Sequence, residues 1–124
     1  MDILLERNNL PGGGDCFDSA YNYMMKNGFG NHELRLVHGF VSGRGKLDGY
    51  RFTHAWCEDD ENVYDNANNR TIKIPKVIYY GMGNVVPDEC KYYNIEDVVR
   101  KSSKYKHKGP WDIKNEVKKE IWNR

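Results

Sequence analysis

Cys16, His54 and Asp65 follow one another along the chain in the order thiol, imidazole, carboxylate. Those groups suffice for nucleophilic catalysis at sulfur. A thiolate attacks, an imidazole carries the proton, and a carboxylate fixes the imidazole tautomer. The bonds open to such a set are amides, isopeptides and esters, and the acyl group passes to water or to an amine. No cofactor is required.

The elements that must position these groups can be read locally. Asp15 suits an N-cap, with Asp18 as an acid in the first turn. Phe17, Ala20, Tyr21 and Met24 recur at helical spacing and Gly28 gives a stop, so a helix is expected from about Cys16 to Lys26. Cys16 then lies in the first turn. There the partial positive charge and unpaired N–H groups favour a thiolate and can hold an oxyanion. The preceding Pro11-Gly12-Gly13-Gly14 lets backbone and substrate approach closely.

His54 and Asp65 fall on an expected hairpin. Tyr50 to Glu58 reads as a strand with Phe52, His54 and Trp56 on one face. Asp59-Asp60-Glu61-Asn62 is an acidic turn, and Asn62 to Asp65 returns as a second strand. Counting inward from the turn makes His54 and Asp65 cross-strand neighbours. Trp56 walls the same face against water. Cys57 points away from His54 by strand alternation.

Elsewhere, Leu34 to Val41 reads as a strand with Leu34, Leu36, His38 and Phe40 on one face, followed by a turn at Ser42 to Lys46. Asn66 to Arg70 is a loop, and Thr71 to Ile74 is extended. Pro75 suits the first position of a short helix through Val77, Ile78 and Tyr79, ended by Gly81 or Gly83. Asn94 caps another helix, with Asp97 in its first turn, which fades before Gly109-Pro110. From Trp111 the spacing of Ile113, Val117 and Ile121, with Trp122, predicts a last amphipathic helix. The expected class is α+β: a helix carrying Cys16 packed on a small antiparallel sheet, then C-terminal helices.

At 124 residues the chain is one domain, residues 1–124. With 39% hydrophobic and 30% charged residues it reads as globular. No apolar run approaches the ~20 residues that span a bilayer. Met1-Asp2-Ile3-Leu4-Leu5-Glu6 lacks the pattern of a signal peptide, so a cytoplasmic monomer is expected. Three cysteines without an export signal argue against a disulfide framework and for a free thiol. Residues 91–124 carry 10 Lys and Arg against 5 Asp and Glu, and residues 1–90 carry 9 against 13. The basic end reads as a solvated helical face, because its lysines alternate with apolar residues at helical spacing. No nucleic-acid partner is expected.

The stretch His54-Ala55-Trp56-Cys57-Glu58, followed by Val63-Tyr64-Asp65, resembles the His-Ala-Trp-x-Glu…Asp-Pro signature of the transglutaminase-like superfamily of papain-like cysteine proteins. The likeness covers roughly residues 12–70. It implies a papain-like α+β core with Cys16 as nucleophile, His54 as base and Asp65 as its orienter. It also implies a cysteine hydrolase or acyltransferase acting on a peptide, a protein or a small acyl substrate. Asn66 stands where the family often has Pro, and Phe17 where it often has Trp, which bears on the substrate pocket. The whole chain, with Leu36-Val37-His38-Gly39 and Gly109-Pro110-Trp111, also resembles small phage and bacterial proteins of no settled activity. A phage-encoded protein of the host cytoplasm fits that likeness.

Each residue also has a plainer reading. Trp56 and Phe17 are core side chains that also suit a substrate wall. His38, between Leu36 and Phe40, reads as a core histidine, with a polar group beside the site as the alternative. Asn8 and Asn9 precede the glycine run and could reach the site, which is the lesser reading of them. Cys16, His38, His54, Cys57 and Asp65 include zinc ligand types, yet no pair has compact structural spacing, and no metal is expected. Gly12-Gly13-Gly14 lacks the ending of a phosphate loop, and Gly81-Met82-Gly83 lacks a third glycine. The competing function on the same scaffold is a binding module that holds a host protein or peptide without turnover.

Overall fold

The computed structural model describes residues 14–67 and 71–120. In chain order its elements are α1 (Gly14–Asn27), β1 (Arg35–Ser42), β2 (Tyr50–Glu58), β3 (Asn62–Asp65), β4 (Ile72–Pro75), α2 (Lys76–Met82), β5 (Lys91–Tyr93), α3 (Ile95–Tyr105) and β6 (Val117–Lys119). The fold is α+β. Its strands form one sheet in the order β4-β3-β2-β1-β5, with β6 also on β2. Every pairing is antiparallel. Asn8, Asn9, Pro11 to Gly13, the loop at 68–70, Ile121 and Trp122 lie outside the described residues.

β1 and β2 are buried along nearly their whole length, so both faces of the sheet need cover. On one face Phe17, Ala20 and Met24 of α1 and Val98 of α3 meet Leu36, Ala55 and Cys57. On the other, Val37, Phe52, Trp56, Val63 and Val85 pack together, with Tyr79 and Tyr80 of α2 against them. The helix boundaries follow local chemistry. Gly28 ends α1 with its N–H on the Met24 carbonyl at 2.7 Å. Asn94 opens α3 by a reciprocal capping box with Asp97.

Three expectations need correction. α1 begins at Gly14, which puts Asp15 inside the first turn and not at the N-cap. Pro75 is the residue before α2 and not its first member, because it also closes the ladder of β4, opposite Asn62. Among the described residues no helix forms from Trp111 onward. Residues 117–119 are instead a strand on β2, pairing Phe52 with Val117, Arg51 with Lys118 and Tyr50 with Lys119. The physical reason is the edge of β2, whose backbone groups need partners that a solvated helix would not supply. The basic face is consequently not helical there, and Lys118 Nζ lies 4.0 Å from the centre of the Phe40 ring.

β1 occupies one side of β2 along its full length. The other side is shared: β3 pairs only with Cys57 and Glu58, and β6 only with Tyr50 to Phe52. Between them, from His54 to Trp56, β2 has no ladder partner on that side among the described residues. Among the described residues no helix is long and apolar enough to cross a membrane.

Candidate active site

His54 stands in that unpartnered stretch of β2, on the face it shares with Phe52 and Trp56. Opposite it on β1 is Gly39, where a Cβ would lie 2.6 Å from Cys90 Sγ and 3.1 Å from Trp56 Cη2. The missing side chain is what lets Trp56 close over this face beside His54. His54 is 1% exposed.

Asp65 ends β3. The β2–β3 ladder pairs Cys57 with Tyr64, so the next step sets Asp65 level with Trp56. The expected cross-strand neighbours are therefore a diagonal pair. The diagonal is still within reach: His54 Nε2 lies 3.0 Å from Asp65 Oδ2. The carboxylate is held from three directions. Ala67 N–H donates to Oδ1 at 3.0 Å, and Tyr79 O–H donates to Oδ2 at 2.6 Å. Burial alone would raise the Asp65 carboxyl. The facing His54 and the donors His54, Tyr79 and Ala67 outweigh burial and hold it at about 2.

Cys16 lies in the first turn of α1, as expected, and is 3% exposed. It packs in the core on the α1 face, and its thiol interacts with the imidazole of His54 through charge and hydrogen bonding. Nε2 of His54 is taken by Asp65, and Nδ1 is buried with no oxygen or nitrogen partner among the described residues. Nδ1 is therefore the atom left for the thiol. Burial pulls the His54 imidazole down, but Asp65 and Cys16 together reverse that and push it up to about 10. The arrangement is a charged imidazolium held between a carboxylate and a sulfur, the pairing that nucleophilic thiol chemistry uses.

A cleft of about 150 Å³ reaches this group from the α2 face. Val41, Phe52, Tyr79 and Met82 form its walls, Arg44 is at its rim, and His54 and Asp65 lie on its lining. It meets the carboxylate side of the imidazole, and Cys16 does not line it.

The residues expected to touch substrate divide between the two faces. Trp56 is fully buried beside His54, with ring centres 6.1 Å apart, and its Nε1 donates to Glu58 Oε1 at 3.0 Å. His38 and Phe17 are brought together on the opposite face, 5.0 Å between ring centres, and Tyr93 and Trp111 complete the enclosure. His38 is therefore not beside His54. Among the described residues neither of its ring nitrogens has a partner, and burial drives it down to about 3, so it is a neutral core residue. Cys57 faces away from His54, as alternation requires, with its Sγ–H on the Ala20 carbonyl at 3.3 Å. Among the described residues no three His, Cys, Asp or Glu side chains gather as a metal site.

Tyr79 is the member of the group that sequence reasoning missed. The only hint in the sequence is two consecutive tyrosines in an expected short helix. Compared with known proteins, the chain matches no family model, and no curated protein and no solved structure is similar to it at a significant level.

Proposed function

We propose that the protein is a thiol hydrolase or acyltransferase of transglutaminase-like, papain-like type, with Cys16, His54 and Asp65 as its triad. The observation that carries this reading is the imidazole of His54, buried between Asp65 Oδ2 at 3.0 Å and the Cys16 thiol. Where burial outweighs the nearby charges the imidazole is neutral, as at His38, whose burial prevails over Asp112. His54 has a partner on either side.

In this reading Cys16 Sγ attacks an amide, isopeptide or ester carbonyl. The electron pair moves onto the oxygen, which the N–H groups at the start of α1 stabilise. As the intermediate collapses, the carbon–nitrogen or carbon–oxygen bond breaks and the His54 imidazolium gives its proton to the leaving amine or alcohol. The acyl group remains as a thioester on Cys16. His54, now neutral, takes a proton from water or an incoming amine, which attacks the thioester and releases the thiolate. Asp65 holds the ring throughout. The proposal includes a cytoplasmic setting, that of the host for a phage-encoded chain, and a monomer acting on a peptide, protein or small acyl compound.

A second reading, a binding module without turnover, is favoured by one observation: Cys16 is 3% exposed. Alkylation by iodoacetamide across pH, read by peptide mass spectrometry, separates the two. For an enzyme, wild-type Cys16 reacts at neutral pH far faster than Cys57 or Cys90. In His54→Ala it reacts only as the pH approaches the ~8.5 of an ordinary thiol. Equal or absent reactivity of the three thiols removes the nucleophile and leaves the binding module.

A further inference from the structure

The short helix α2 meets the sheet through two consecutive tyrosines, and each ends on a different carboxylate. Tyr79 O–H donates to Asp65 Oδ2 and Tyr80 O–H to Glu58 Oε1, both at 2.6 Å. Asp65 is on β3 and belongs to the triad. Glu58 is at the end of β2 and bonds Trp56. The two contacts are alike in chemistry and length, yet only one lands on the oxygen that also holds His54.

We infer that Tyr79 is a positioning residue of the triad, acting on His54 through Asp65 Oδ2. The inference rests on the triad reading for its catalytic meaning, but its physical content does not. One carboxylate oxygen accepts from both His54 and Tyr79. Each donor withdraws part of the negative charge the other meets. The phenol thus fixes Asp65 where His54 needs it and weakens the pull of the carboxylate on the imidazolium proton. An imidazolium gripped too strongly is a poor acid toward a leaving amine.

The charged and titratable groups around the pair are few. His54 meets Asp65 of β3 and Cys16 of α1, and Tyr79 of α2 and Arg44 line the same cleft. Asp65 meets His54 and Tyr79, and its charge is felt by Cys57. Tyr79 is half-buried; desolvation, Asp65, Cys16 and the neighbouring Tyr80 raise its phenol well above its ordinary range, so it remains a donor throughout the working pH range.

The test is a proton and nitrogen NMR titration of the His54 ring in the full chain, in wild type, Tyr79→Phe and Tyr80→Phe. Tyr79→Phe is expected to move the His54 midpoint upward. Tyr80→Phe, which breaks an equivalent bond on the same helix, is expected to leave it in place. Equal midpoints in all three proteins, or equal displacement by both substitutions, would overturn the inference. Should Tyr79→Phe fail to fold, 3-fluorotyrosine at position 79 keeps the ring and strengthens the donor. It is expected to move the midpoint downward, and an unmoved midpoint overturns the inference. Failure of the triad reading is separate: Cys16 alkylates no faster than Cys57 or Cys90, whatever Tyr79 does to His54.

Discussion

Trp56 and Glu58, two residues apart on one face of β2, are joined by a 3.0 Å hydrogen bond from indole Nε1 to carboxylate Oε1, and both are fully buried. A carboxylate in that position needs neutralising, and cations supply it. Lys76 Nζ lies 3.0 Å from Glu58 Oε2 and Arg35 3.8 Å away, each about a quarter to a third exposed. The Trp and Glu of the His-Ala-Trp-x-Glu stretch are thus a support beside His54, not a second reactive pair.

Glu58→Leu leaves the buried indole N–H of Trp56 without its acceptor, while Tyr80 O–H keeps Tyr92 O–H at 3.1 Å. An unpaired buried donor costs about 1–3 kcal/mol, and a loss of that size is expected. Glu58→Gln keeps an acceptor oxygen and loses the charge, and should cost about half as much. Urea denaturation of the three proteins checks the order; equal stability of the Leu variant and wild type would show that the network contributes nothing.

Asp65→Asn keeps the shape of the side chain and removes the charge that favours the imidazolium. If the triad operates, turnover falls by roughly 10³- to 10⁴-fold. Cys16 alkylation at neutral pH falls with it. The measurement is single-turnover acylation with an activated ester, alongside iodoacetamide rates. Unchanged rates would remove Asp65 from the mechanism.

His38 and His54 make opposite contributions to stability as pH changes. His54 is raised to about 10 by Asp65 and Cys16 against burial. Its contribution is fully present below the unfolded value of about 6.5. It is lost as pH rises through about 10. His38 is lowered to about 3 by burial, with Asp112 opposing and His107 adding to that shift. From about 6.5 down to about 3 the unfolded chain takes up a proton at His38 that the folded protein does not. Stability therefore falls with acid across that window. His38→Leu, which removes the titrating imidazole from the core, should flatten the acid limb of a melting-temperature-against-pH curve. An acid limb as steep as that of wild type would place the loss elsewhere.

Thr53 anchors the chain that follows Trp111. Its Oγ1 donates to the Lys114 carbonyl at 2.7 Å and accepts from Glu116 N–H at 2.9 Å, and its own N–H donates to the Glu116 carbonyl at 3.1 Å. Thr53→Val removes the hydroxyl from a fully buried position and should cost about 1–3 kcal/mol. Hydrogen exchange should quicken at residues 114–119 before it does in α1. Uniform acceleration across the chain would mean that this segment is not separately anchored.

Local signals account for most of what the sequence revealed. Asn94 with Asp97, Gly28 after Met24, and the acidic turn between Glu58 and Asn62 each act within a few residues, and α3, the end of α1 and the β2–β3 hairpin came out where those signals set them. Positions fixed by distant partners were harder to read. Val117 and Lys118 continue a helical spacing on paper, but a three-residue strand is too short to show a period of two, and the open edge of β2 decides its conformation. Tyr79 is 14 residues from Asp65, and their meeting depends on how α2 folds back over the sheet. The diagonal offset of Asp65 from His54 depended on the register of a hairpin whose turn residues do not reveal it.

The shared edge of β2 gives the chain an order of completion. Its β3 partner arrives through a tight turn, at almost no loop-closure cost, whereas the Thr53–Lys114 contact spans 61 residues and carries a far larger one. A ribosome therefore delivers α1, β1, β2, β3 and α2, with Cys16, His54, Asp65 and Tyr79, before the segment that covers the edge beside His54. The cluster is spelled out first, and the backbone next to it is covered only when residues 114–119 emerge.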